Sequence, residues 1–229
     1  MNLLAIDSAS SVLSVALSCA DEIHCTESKA GAKHSELVME LIDSQMKKAR
    51  LLPEDLDGVL CMGGPGSFTG LRIAYSIAKG LALSLSIPFA PVPTLDCMAF
   101  PCRGSVPVLA VIEARKKTFF YSFYRADELE AESILNEDAQ ASRIALDIER
   151  YGEKIILTGT GAASLYDSFS AKTKKSVELD IQKRSYSGEI IAIAKMRKIM
   201  DNDNTAFLYS GPEYIRKTDA ELNLLNAGN

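Results

Sequence analysis

Two carboxylates stand where apolar runs end. Asp7 closes Leu3-Leu4-Ala5-Ile6, and Glu113 closes Val108-Leu109-Ala110-Val111-Ile112. Carboxylates at the ends of two buried strands can orient Mg2+ and its waters against the phosphates of a nucleotide. A second feature could meet such phosphates: Gly63-Gly64-Pro65-Gly66-Ser67-Phe68-Thr69-Gly70-Leu71-Arg72 joins an apolar run to a helical one. Glycines at 63, 64, 66 and 70 permit positive backbone dihedrals and close approach, and they aim amides outward at a helix N-terminus, which favours an anion. The segment is not a Walker loop, since no Lys-Ser or Lys-Thr closes it, and it lacks the dinucleotide G-x-G-x-x-G spacing. Ser67 is not in a G-x-S-x-G elbow, so a serine hydrolase gains nothing from it. The same glycines also suit a tight turn that serves packing alone, and the residues leave both readings open. A weak or vestigial nucleotide or anion site would draw on Asp7, Ser10, Gly64, Gly66, Ser67 and Glu113, with Gly159 and Gly161 of Gly159-Thr160-Gly161 on the adenosine side. Against ATP chemistry, Asp7-Ser8-Ala9-Ser10 has no glycine to let a phosphate approach, and Arg115 takes the corresponding place in the second half.

Histidine and cysteine chemistry is sparse. His24 and His34 are the only histidines, and no pair stands at ligand spacing. His34 could act as a base beside Glu36, but a helix-start histidine with no nucleophile nearby in sequence reads better as a structural or interface residue. Cys19, Cys25, Cys61, Cys97 and Cys102 are odd in number and form no C-x-x-C pair. They read as reduced thiols and small apolar fillers rather than a disulfide frame or zinc site.

These residues need elements to hold them. Leu3 to Asp7 reads as a buried strand; Val12 to Ser18 alternates, with Leu13, Val15 and Leu17 on one face; Ile23 to Ser28 supplies a third strand. Leu37, Val38, Leu41, Ile42, Met46 and Ala49 then recur at helical spacing over His34 to Arg50. A strand at Gly58 to Met62, the glycine-rich turn, a helix over Thr69 to Leu85 and a strand at Phe89 to Val92 make a parallel crossover unit. Pro88, Pro91, Pro93 and Pro101 punctuate a connector, which puts the boundary between a first lobe, 1–103, and a second, 104–229. The second half repeats the opening: buried strand, acid, a turn with Arg115-Lys116-Lys117, and the long strand Thr118 to Tyr124. Further strands follow near Leu129 to Ile134 and at Lys154 to Thr158, with helices over Asp138 to Arg150 and after Ser187, which the spacing makes an N-cap. Two α/β lobes of like grammar suggest the duplicated actin-like, Hsp70-like and sugar-kinase-like (ASKHA) architecture, although similar strand orders arise independently.

The whole chain has 229 residues, 47% hydrophobic and 24% charged, enough to bury a real core. A net charge of -5 argues against tight, self-sufficient binding of a polyanion. No basic leader precedes Asp7 and no apolar run is long enough for a membrane, so the expected setting is the cytoplasm. Leu37, Leu41, Ile73, Ile77 and Leu81 recur at three- and four-residue steps on the two first-lobe helices, more apolar surface than one sheet face absorbs. Core packing is the default reading of such stripes.

Gly64-Pro65-Gly66-Ser67-Phe68-Thr69-Gly70-Leu71-Arg72-Ile73, followed by Ala78-Lys79-Gly80-Leu81-Ala82, closely resembles the hallmark of the bacterial TsaB (YeaZ) family. Leu4-Ala5-Ile6-Asp7-Ser8, Lys33-His34-Ser35-Glu36, Glu113-Ala114-Arg115 and Pro212-Glu213-Tyr214-Ile215-Arg216 extend the likeness along the chain, thinly from 125 to 205. The resemblance implies the ASKHA fold and a role in N6-threonylcarbamoylation of adenosine 37 in tRNAs reading codons that begin with A. It implies an accessory, non-catalytic subunit that pairs with the catalytic TsaD paralogue, is joined by the ATPase TsaE, and forms a homodimer when alone. Transfer RNA is then reached only through the complex, with no membrane and no cofactor of its own. In the register of the catalytic paralogue's H-x-x-x-H metal motif, this chain has Thr94 and Met98, which leaves no imidazole for a metal. The implied pairing surface is the two first-lobe helices, with His34, Leu37, Leu41, Phe68, Arg72, Ile73 and Ile77 as contacts; the tail, 212–229, would pack back on the first lobe. The rivals are an ATP-binding sugar-kinase-like enzyme and a metallopeptidase-like (glycoprotease) protein.

Overall fold

The computed structural model describes residues 1–10, 12–20, 22–28, 34–114, 117–126, 131–134, 139–182, 184–201 and 205–212. Expectations for Lys33, Arg115, Lys116 and the tail from 213 onward lie outside the described residues, as does the side chain of His34.

The first half builds a five-stranded sheet from β1 (Leu3–Asp7), β2 (Leu13–Cys19), β3 (Glu22–Ser28), β4 (Gly58–Met62) and β5 (Phe89–Val92), in the order β3-β2-β1-β4-β5. β1 pairs antiparallel with β2 and parallel with β4, and β4 pairs parallel with β5. The parallel pairs are joined by α1 (His34–Ala49) and α2 (Phe68–Leu85), which cover one face. The connector holds α3 (Thr94–Ala99), a helix that the sequence reading passes over. The second half builds β6 (Val108–Glu113), β7 (Thr118–Tyr124), β8 (Ala131–Ile134), β10 (Ile155–Thr158) and β11 (Val177–Leu179), in the order β11-β10-β6-β7-β8, with the short β9 (Ala139–Gln140) beside β7. Its outer face carries α4 (Ala141–Tyr151) and α5 (Ala162–Ser168), with α6 (Ala171–Lys174) following. The start of α4 differs from the expected Asp138 because Ala139 and Gln140 are taken by pairing with Phe119 and Thr118.

Alternation along the strands sorts three cores. Leu4, Ile6, Leu13, Val15, Leu17, Val59 and Cys61 face α1 and α2. Leu109, Val111, Phe119, Tyr121 and Phe123 face α4 and α5. The opposite faces of both sheets share one cluster: Leu3, Ala5, Leu60 and Met62 from the first, Val108, Ala110, Ile112, Phe120 and Tyr124 from the second. Between them lie Leu95 and Met98 of α3 and Ile190, Ile191, Ile193 and Ala194 of α7 (Ser187–Met196). The chain thus leaves the first sheet after β5, builds the second, and returns α7 to the first, which is why β2 is buried on both faces. Ser187 is not the cap the spacing suggests. It is the first helical residue, Tyr186 occupies the N-cap, and the N-cap side chain makes no capping hydrogen bond. The chain ends, as described, with α8 (Thr205–Tyr209) against β5.

Candidate functional site

The glycine-rich turn runs from β4 into α2 and leans on the Asp7-Ser8-Ala9-Ser10 turn. Ser67 caps α2, its hydroxyl accepting from Gly70 N at 3.2 Å. Ser67 N donates to Ala9 O at 3.3 Å, and Ser8 Oγ to Gly70 O at 2.5 Å. A Cβ on Gly70 would lie 1.9 Å from Ser8 O, and one on Gly66 3.1 Å from Ala9 Cβ. These glycines therefore permit two backbones to touch. On its other side the turn is held by the connector. Gly63 N donates to Val92 O at 2.7 Å, Thr94 N to Gly64 O at 2.9 Å, and Gly64 N to Thr94 Oγ1 at 3.2 Å. The amides of Gly63, Gly64, Ser67 and Gly70 are thus all engaged within the chain.

Thr94 and Met98, in the register of a metal motif, have other work here. Thr94 is buried and clamps Gly64 from both its amide and its hydroxyl, while Met98 is packed in the cluster between the sheets. A hydroxyl already accepting an amide, and a thioether in an apolar core, offer nothing to a hard cation. Among the described residues, no three His, Cys, Asp or Glu side chains gather as a metal ion would require.

The two strand-end carboxylates sit in unlike surroundings. Asp7 is completely buried, and its oxygens accept from Ala9 N (3.1 Å), Ser10 N (3.2 Å), Ser10 Oγ (2.8 Å) and Tyr186 N (3.4 Å). Burial pushes its carboxyl above the ordinary value, and these hydrogen bonds oppose that rise without cancelling it. Glu113 is exposed at the end of β6. Gly159 and Gly161 press on the β6 backbone: a Cβ would lie 2.2 Å from Val111 O for the first and 2.5 Å from Glu113 N for the second. Gly159 also has φ of +105°, a left-handed region open to glycine.

The structure adds a polar cluster that no periodicity announces. Asp180, after β11, accepts from Thr158 Oγ1 (2.9 Å), Cys102 Sγ (3.2 Å) and Arg184 Nη1 (2.6 Å). Burial pushes the Asp180 carboxyl up, but these hydrogen bonds together outweigh it and hold it below the usual range. The apolar-filler reading holds for Cys61 and Cys97, which are buried; Cys102 is instead a hydrogen-bond donor and Cys25 is exposed.

On the outer face of the first sheet, Leu37, Leu41, Ile73, Ile77 and Leu81 are half-buried at the margin of the core. Phe68, 38% exposed, opens α2 with the Arg72 guanidinium 4.0 Å above its ring. Met39 and Leu83 add exposed apolar surface to the same two helices at 48% and 62%. The sequence-predicted interface residues are thus brought onto two neighbouring helices, while the predicted nucleotide residues divide between a sealed carboxylate, an exposed one and glycines occupied with backbone.

Comparison with known proteins agrees with this architecture. The family model described as "TsaD: tRNA N6-adenosine threonylcarbamoyltransferase" matches residues 26–224. The tRNA threonylcarbamoyladenosine biosynthesis protein TsaB of Haemophilus influenzae is 25% identical over 209 residues, covering 86% of this chain and 88% of that protein. The Escherichia coli protein of the same name is 33% identical over 131 residues, a match that spans 56% of this chain and 57% of that one. The solved structure of YeaZ from Pseudomonas aeruginosa superposes with a TM-score of 0.72 over 86% of this chain and 92% of that chain at 22% identity, a likeness of fold. The two-lobed α/β fold, the family model matched along most of the chain and the relatives' shared name lead to one assignment: the chain belongs to the TsaB (YeaZ) family of tRNA threonylcarbamoyladenosine biosynthesis proteins.

Proposed function

We propose that this chain is the non-catalytic partner subunit of a tRNA N6-threonylcarbamoyladenosine-forming complex, docking on a TsaD-like catalytic paralogue through α1 and α2. The observation that carries this reading is the row Leu37, Leu41, Ile73, Ile77 and Leu81, half-buried against the core, on two helices that also expose Met39, Phe68 and Leu83. Apolar surface on neighbouring helices gains free energy when a partner removes it from water. The same row serves a homodimer when the chain is alone, and a TsaE-like ATPase joins the assembled pair. Adenosine 37 of the tRNA is reached through the complex, in keeping with a net charge of -5 on this subunit. The use of Thr94 and Met98 in clamping and packing supports a role without metal or chemistry of its own, and the internal engagement of Asp7 and the glycine amides supports one without nucleotide.

Co-purification with the catalytic paralogue tests the reading. Phe68→Asp and Leu83→Asp change exposed positions, and Leu41→Asp and Ile73→Asp the row itself. Loss of the complex and of tRNA modification, with the native circular dichroism of the exposed-position variants retained, is expected. An unchanged complex in all four would refute it. Calorimetric titration with Mg-ATP addresses the sugar-kinase-like alternative, for which saturable heat is required.

A further inference from the structure

α7 packs on the first sheet, within the core that both sheets share, and is tied at both ends by carboxylates. At its C-terminal end, Arg197 caps the helix and donates from Nη1 to Asp96 Oδ2. Asp96 lies on α3, in the connector, with its side chain only 6% exposed. The other oxygen of the same carboxylate accepts from Tyr124 Oη, on β7 of the second sheet, at 2.6 Å. At the N-terminal end, Tyr186 N donates to Asp7 at the end of β1. Between these ties, Ile190, Ile191, Ile193 and Ala194 fill the core shared by the two sheets.

A buried ion pair is a weak source of stability, because removing both charges from water offsets most of their attraction. Its value lies in geometry: one carboxylate, satisfied only when a phenol from one sheet and a guanidinium from a helix on the other both reach it, admits one relative position of the two. We propose that α7 is a strap that holds the lobes of this chain in a single closed position, with Asp96 as its latch. The α1–α2 face is then presented by a rigid body rather than by a lobe that hinges. This closed position is a property of the chain by itself and does not depend on a partner.

The test is an interlobe distance. Fluorophores placed by non-cysteine chemistry at Glu40 on α1 and Leu146 on α4, both exposed, should give one narrow distance distribution in the unaltered chain. Arg197→Met should broaden it and speed amide exchange in 187–196 at least tenfold, leaving α1 unchanged. Tyr124→Phe, which removes one bond and no charge, should do the same to a lesser degree. Tyr121→Phe, which removes the Tyr121 Oη to Asp147 Oδ2 bond of 2.7 Å within the second lobe, should leave the distance as it was. A narrow distribution in Tyr124→Phe and in a folded Arg197→Met overturns the proposal, and so does faster exchange in α7 without a change in distance. If Arg197→Met fails to fold, Tyr124→Phe decides alone by the same two readings.

Discussion

Asp7 shows how one residue can look like a catalyst and act as a fastener. Its two oxygens meet four donors, from Ala9, Ser10 and Tyr186, so that it closes its own turn and the start of α7. Asp7→Ala strands those buried donors, and a loss of about 2–4 kcal/mol is expected in urea denaturation. Because burial raises its carboxyl above 3.8, the folded chain holds this proton more tightly than the unfolded chain does. The contribution is complete below the ordinary carboxylate value and lost as pH rises through the folded one, so stability falls with pH across that window. Glu189, raised by burial in the same sense, adds to the slope. Asp7→Asn should therefore flatten the dependence without removing it; equal slopes for the two proteins would contradict this account. The glycines separate as cleanly. Gly70→Ala drives a Cβ to 1.9 Å from Ser8 O and should cost about 3 kcal/mol or prevent folding, whereas nothing lies within 4 Å of a Cβ on Gly80. Gly80→Ala, inside α2, should stabilise by about 0.5–1 kcal/mol, read as a higher urea midpoint.

Elements with many turns or clear alternation could be read from sequence because periodicity accumulates with length. α1 and α2 appear where apolar spacing places them, starting one residue early at Phe68 because the Ser67 hydroxyl caps the helix. The six residues of α3 are too few to show a period between Pro93 and Pro101, and they became visible only as the helix that clamps Gly64 and carries Asp96. The end of the described chain is likewise held by a contact distant in sequence. Lys79 on α2 donates to Leu208 O at 2.9 Å and to Ser210 O, with its ammonium 5.7 Å from the Tyr75 and Phe89 rings. Lys79→Met keeps the stem and removes the donors. Limited proteolysis should then cut after α8 several-fold faster, and an unchanged cleavage rate would mean that apolar packing of Phe207 and Leu208 suffices.

For the whole molecule, the shared core between the sheets makes one folding unit of two repeated halves. Ile190 is fully buried there, and Ile190→Ala should cost about 2–5 kcal/mol. The loss should appear as one urea transition in which amides of β1 and of β6 lose protection together; separate transitions would show that the halves fold apart. Local spacing sufficed for the repeated grammar, the glycine-rich turn, the apolar helices and, through the resemblance, the family, because short-range order carries its own pattern. Spacing could not tell whether the glycines faced an anion or a neighbouring backbone, or whether Asp7 faced solvent or core. Those answers depend on the Ser8-Ala9 turn, which meets Gly66 and Gly70, on α3, which clamps Gly64, and on α7, whose start covers Asp7. The number of partners available to a buried group is set by what folds against it, and only the tertiary structure decides that.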